Sequence, residues 1–287
     1  MPVTRLITAE LFKLRKRLMS RVLLYVMVGV LVVFYLILLA VSKAIPDGGP
    51  HGLGDIQNLL GLPTAIPFAL SMLAGFGTLL AVILVASSIG NEYNWRTIRT
   101  MVISSESRFK LLGAKLISAG ILVLIGMVIG VITGFVMSLF TTAVGGYTFN
   151  FDFLTGEYIW EQFLQFWRTF FVLMPYATLA FLFAIIGRGA MTGIGLGIGV
   201  YIVESLITTF MVLAGGWVAQ VPNYLLANNV NAITSMAQLP EGFRGGGFGD
   251  ISFQLPGTTH AFVVLAIYSV VFLVLAFYVF RRRDVTV

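Results

Sequence analysis

Six stretches of the chain are apolar almost without interruption, at about 22–42, 67–89, 113–140, 169–187, 190–214 and 260–280. A bilayer core about 30 Å thick takes roughly 20 helical residues to cross, so each stretch predicts one transmembrane helix. Barrel strands would alternate over short segments of about ten residues instead. The pattern therefore predicts an all-α polytopic membrane protein, with a six-helix domain over 22–287 and a separate segment over 1–21. In "TRLITAELFKLRKRLMS", Ile7, Leu11, Leu14 and Leu18 share a helical stripe while Lys13, Lys16 and Arg17 lie away from it. That spacing predicts an interfacial amphipathic helix, its stripe in the acyl boundary and its basic groups on lipid phosphates. A basic flank that only enforces topology is the plainer reading.

Composition agrees with the pattern: 58% of the 287 residues are hydrophobic and 10% are charged, against roughly 25% charged in a soluble domain. The first apolar run is too long, and too poorly followed by a small-residue cleavage site, to be a signal peptide, so it is read as a retained span. There is no cysteine, which removes disulfides and Cys-based metal sites. Basic residues resist translocation and collect in cytoplasmic segments. With both termini in the cytoplasm, fifteen of the eighteen Lys and Arg lie inside, and only Lys43, Arg168 and Arg244 lie outside with seven of the twelve acids. The net charge of +6 then reflects topology and attraction to anionic lipid. No interleaving of basic and aromatic residues suggests a nucleic-acid partner. His51 and His260 are the only histidines and lack metal-ligand spacing, and no nucleophile and base pair up on the spans. Metal-dependent and hydrolytic membrane enzymes are therefore disfavoured.

Between the second and third runs lies "NEYNWRTIRTMVISSESRFKLLGAK", residues 91–115. No Pro or Gly interrupts its first twenty residues, and Trp95, Ile98, Met101 and Val102 recur at helical spacing. A short cytoplasmic helix over 91–110 is predicted, with Asn91 as its N-cap and Glu92 in its first turn. Ser104, Ser105 and Ser107 suggest a break before Arg108. Composition and periodicity leave a solvated loop as the alternative.

This stretch resembles the signature of ABC-2 type permeases, the membrane subunits of bacterial ATP-binding cassette exporters. The matching positions are Glu92, Tyr93, Trp95, Thr97, Arg99, Ser107, Arg108 and Lys115, while Arg96 departs from the Gly common in the family. The likeness extends to an interfacial helix, six spans, a long outer segment before the last span and a short basic tail. It implies a bacterial plasma-membrane permease that forms a substrate pathway, with a coupling helix built from Glu92, Tyr93, Trp95, Arg96, Thr97, Arg99, Ser107 and Arg108. That helix would dock on a separate nucleotide-binding ATPase carrying the ATP and Mg. It also implies a second permease copy, expected to give a homodimer. The chain itself holds no GxxxxGK[ST] phosphate loop, so no cofactor is expected on it and it is not read as an enzyme. An importer permease of the binding-protein-dependent class is disfavoured because its EAA…G loop is missing.

Within the spans, Gly126, Gly130 and Gly134 line the third helix, while Gly189, Gly193 and Gly197 form one row of the fifth and Gly195 and Gly199 another. Small residues let helices pack closely; packing and sliding are both open readings. Pro175 predicts a kink in the fourth span. Glu204 is the one ionisable residue deep in a run, roughly 21 Å along its helix, and must face protein or water. A hydrogen-bonded partner such as Thr133 or Ser269 gives it a structural role; a self-contained channel or secondary carrier with Glu204 in the pathway is the rival functional reading. Residues 215–259 hold "WVAQVPNYLLANNVNAITSM", apolar but broken by Pro222, which suits re-entrant helices buried against protein. Tyr158, Trp160 and Trp167 in "EYIWEQFLQFWR" fit an interfacial aromatic belt.

Overall fold

In the computed structural model, which describes residues 3–44, 59–94, 108–145, 149–214, 216–237, 239 and 255–282, every long apolar run is a helix and no described residue is in a strand. Six of these helices are long and apolar enough to cross a membrane. The helix α1 (Val3–Lys16) ends at a one-residue break, and α2 (Leu18–Ala44) is the first candidate span. The second is built from a 3-10 turn at Leu62–Thr64, α3 (Ala65–Met72), a π-helical stretch at Leu73–Gly77 and α4 (Thr78–Asn94). Then come α5 (Arg108–Gly145), α6 (Gly156–Ile186) and α7 (Ala190–Ala214). A second 3-10 stretch at Val218–Tyr224 and the nine-residue α8 (Leu226–Thr234) precede the last candidate span, α9 (Thr258–Arg282).

The observed helices overrun the apolar stretches that predict them. At 31 residues, α6 is about 46 Å long at 1.5 Å per residue, and it begins 13 residues before the predicted start at 169. Residues 156–168 carry Glu157, Glu161 and Arg168, so hydropathy ends where the helix does not. Thr155 closes that start, its hydroxyl accepting from the Tyr158 amide at 3.2 Å. Helix α6 runs unbroken through Pro175.

Helices α4 and α6 form the centre, because their apolar residues are buried on most sides while α2, α7 and α9 each bury one stripe. On α2 that stripe is Met27, Leu31, Tyr35, Leu39 and Ser42, the i, i+4 spacing of a single helical face. The Tyr35 hydroxyl donates to the Ala65 carbonyl at 3.3 Å, satisfying the one polar atom of a fully buried ring. Glycine brings α7 against the centre: a Cβ at Gly197 would lie 2.8 Å from the Ala180 Cβ, and one at Gly193 would lie 2.6 Å from the Ala184 Cβ. Gly195 and Gly199 face open space, so of the two predicted rows only Gly193 and Gly197 make a helix contact within the chain. A side chain at Gly90, near the end of α4, would overlap the backbone at Ala190. The α6–α7 turn therefore lies at the same end of the bundle as the end of α4, and the start of α6 lies at the opposite end.

Candidate functional site

Three helices meet where α4 ends. From α1 come Glu10 and Lys13, with Arg17 just beyond its last turn; from α4 comes Glu92; from α5 comes Lys115. Lys115 Nζ lies 2.5 Å from Glu92 and 3.1 Å from Glu10. Lys13 pairs with Glu92 as well as with Glu10, the latter at 3.1 Å, and Arg17 approaches Glu92 at 3.7 Å. Glu92 is 0% and Lys115 1% exposed. Among the described residues, three cations face two carboxylates, a net of one positive charge when all five are ionised. Charges buried this deeply persist only when each is paired, and here every pairing crosses between helices except that of Lys13 with Glu10.

Two bonds to backbone carbonyls reinforce the junction. Ser118 donates to the Ile7 carbonyl at 3.2 Å, and Arg17 donates to the Ser87 carbonyl at 3.5 Å. Burial pushes the Glu10 carboxyl up, but the ammonium groups of Lys115 and Lys13 outweigh it and hold its pKa below the ordinary value. The chemistry available here is electrostatic clamping, because Lys115 sits in ion pairs with both acids and offers no free amine for catalysis.

The cluster corrects two expectations. Asn91 and Glu92 are not the cap and first turn of a separate helix; they lie in the last turn of α4, because no helix-breaking residue separates them from the apolar run. Glu92 is also no exposed docking group, since it is wholly buried among three cations. The basic residues of α1 divide as well: Lys13 and Arg17 turn inward to Glu92, and Leu14 of the apolar stripe is buried against protein. Tyr93 is half-buried against the main core. Arg108 opens α5, whereas Trp95, Arg96, Thr97, Arg99 and Ser107 lie outside the described residues. The involvement of Glu10, Lys13 and Arg17 was missing from the sequence reading. Its signal was there: Glu10 is the sole acid among the first 46 residues, and Lys115 stands inside a helix apolar enough to span a membrane, where a lysine needs a partner.

Glu204 occupies a second junction at the opposite end of the bundle. One carboxylate oxygen accepts from the Tyr176 hydroxyl of α6 at 2.8 Å, and the other accepts from the backbone amides of Leu226 and, at 3.2 Å, Ala227. Those amides open α8, which has no side-chain cap of its own, so a residue on α7 caps it from outside. The expected partners are replaced: Thr133 and Ser269 each donate to a carbonyl one turn back in their own helices, at 2.8 Å. Around α8, Asn229 donates to the carbonyls of Asn223 and Leu225, and His260 bonds the Asn223 carbonyl at 3.0 Å. Pro175 is buried one residue from Tyr176.

A protein of Bacillus subtilis (strain 168) named "Uncharacterized protein YhcI" is 26% identical over 217 residues. The match covers 72% of this chain and 64% of the relative, so the chain spans just under two thirds of that protein's length. A family model described as "Protein of unknown function (DUF2705)" matches residues 57–286, a segment that holds Glu92, Lys115, Glu204 and five of the six candidate spans. On that match the chain belongs to the DUF2705 family.

Proposed function

We propose that this chain is the membrane-spanning permease subunit of an ATP-binding cassette transporter, an exporter in a bacterial plasma membrane. It acts as a homodimer with a separate ATPase that carries ATP and Mg, and the segment over 91–110 is its coupling element. The observation that carries this reading is the ion pair between Glu92 and Lys115, 2.5 Å apart. These residues stand on either side of residues 95–107, and both are tied to α1 through Lys13 and Glu10. Movement imposed on the segment would reach α1, α4 and α5 together, as a coupling element requires. The resemblance of residues 91–115 to the ABC-2 signature supports the same reading and supplies the exporter direction. A carrier using Glu204 has less support, because that carboxylate is engaged by Tyr176 and the start of α8.

The test uses Trp95, since Glu92 now reports on folding and not on docking. The chain is purified with its ATPase and reconstituted in lipid as wild type and as Trp95→Ala. The variant is expected to insert and dimerise as wild type does while ATPase association and substrate-stimulated hydrolysis fall, because a few anchor residues dominate a small interface. Unchanged association, hydrolysis and transport would sink the coupling-element reading.

A further inference from the structure

At the far end from the charge cluster, the polar start of α6 lines a cavity of about 400 Å³, within the size range of small-molecule sites. Glu157, Glu161, Gln165 and Arg168 recur there at helical spacing, Gln162 and Trp160 flank them, and Met236 and Ala237 beyond α8 close the other side. Gln162 and Gln165 are only 7% and 5% exposed, and the side-chain oxygen of each has no hydrogen-bond partner. Buried acceptors are rarely left unanswered. Two orphaned carbonyl oxygens beside Glu157 ask for a ligand that donates N–H bonds and carries positive charge. The cavity is not uniformly acidic, however: Arg168 also lines it, two turns deeper along α6 than Glu161.

We propose that this cavity binds a phosphoethanolamine group, with the primary ammonium on Gln162 and Gln165, toward the acidic mouth at Glu157, and the phosphate on Arg168. The order of charges along α6, acid at the mouth and arginine deeper, matches the order in which a membrane lipid of this class presents ammonium and phosphate. Trp160 and Trp167, 59% and 45% exposed, place this part of α6 at the level where aromatic side chains meet headgroups. Trp160 adds an aromatic face to attract the cation. A quaternary choline head carries the same charge but no N–H, so it leaves both glutamine oxygens unanswered. This reading is independent of any coupling to an ATPase.

The experiment is native mass spectrometry of the full-length protein in detergent with equal amounts of phosphatidylethanolamine, phosphatidylcholine and phosphatidylglycerol bearing identical acyl chains. Phosphatidylethanolamine should be retained about tenfold over phosphatidylcholine, the size of one charge-assisted hydrogen bond. Gln162→Leu with Gln165→Leu should abolish that preference, and Arg168→Leu should weaken retention of both zwitterionic lipids. The glutamine variant keeps its fold as judged by unfolding temperature, since removing a pair of unpartnered polar groups at similar shape costs little. Soluble O-phosphoethanolamine distinguishes the source: displacement of lipid at millimolar concentration assigns the site to the free headgroup compound, and no displacement assigns it to the lipid. Equal retention of the ethanolamine and choline lipids by the wild type, or a preference that survives loss of both glutamines, overturns the proposal and leaves the cavity to water.

Discussion

At the end of α4, five ionisable side chains answer one another across three helices; at the opposite end, one carboxylate is answered by two backbone amides and a phenol. The first junction is a balance of charges and the second is a set of hydrogen bonds to a single acceptor. This difference decides how each responds to substitution. Removing a charge from the cluster leaves opposite charges buried without their complement. Neutralising Glu204 while keeping an acceptor oxygen leaves the start of α8 capped. The two ends also differ in what they hold together. The cluster ties α1 to the bundle beside residues 95–107, whereas Glu204 ties the short α8 to α6 and α7.

The largest effect is expected at Glu92. Glu92→Gln takes from Lys13, Arg17 and Lys115 the carboxylate that all three share, and breaking a buried ion pair on one side costs about 3–5 kcal/mol. Glu92→Met combined with Lys115→Met removes one charge of each sign and should cost less than the sum of its two single changes, with a coupling of about 1–3 kcal/mol in a double-mutant cycle. Denaturant unfolding in mixed micelles measures all four proteins. Strict additivity would show that Glu92 and Lys115 are not energetically coupled and that the cluster is not a clamp.

A smaller and more local loss is expected at the other junction. Glu204→Leu leaves the amides of Leu226 and Ala227 and the Tyr176 hydroxyl without their acceptor, at about 1–3 kcal/mol for buried groups so orphaned. Glu204→Gln retains one carbonyl oxygen and should cost under about 1 kcal/mol. The readout is proteolysis between α7 and α9: the Leu variant should be cut faster there, and the Gln variant at the wild-type rate. If both are cut at the wild-type rate, α8 is held by its apolar contacts alone.

How far each junction was legible in the sequence follows from the kind of signal it leaves. The six long helices were legible because each rests on a long run of apolar residues, and the fifth agrees to the residue, 190–214. The start of α6 was not, since a helix that leaves the apolar layer keeps its hydrogen bonds but loses its hydropathy. Glu204 stood out as an acid in an apolar run, and its need for partners was correctly inferred. The partners themselves were not, because backbone amides at the start of α8 carry no side-chain signature. The charge cluster was hidden for a different reason. Four of the five members had a sufficient local explanation: lipid phosphates or topology for Lys13 and Arg17, the first turn of a separate helix for Glu92 and a motif for Lys115. Only tertiary structure makes them one object.

The smallest effect isolates Glu10, the member of the cluster that can be titrated with least damage. Its pKa is held below the ordinary carboxylate value of 4.5 by Lys115 and Lys13, against the upward push of burial. A carboxyl depressed on folding stabilises the folded protein above its unfolded pKa, and that contribution is lost as pH falls through the folded value. The wild type should therefore hold its unfolding temperature from neutral pH down to about 5 and lose stability below the ordinary value of 4.5. Glu10→Gln starts from lower stability at neutral pH because Lys115 keeps only Glu92 opposite it. Its profile should be flatter below that value, since the titrating group is gone. The comparison is the slope of unfolding temperature between pH 5 and 3.5 in the same detergent. Equal slopes for both proteins would place the acid response elsewhere and remove Glu10 from the electrostatic balance of the cluster.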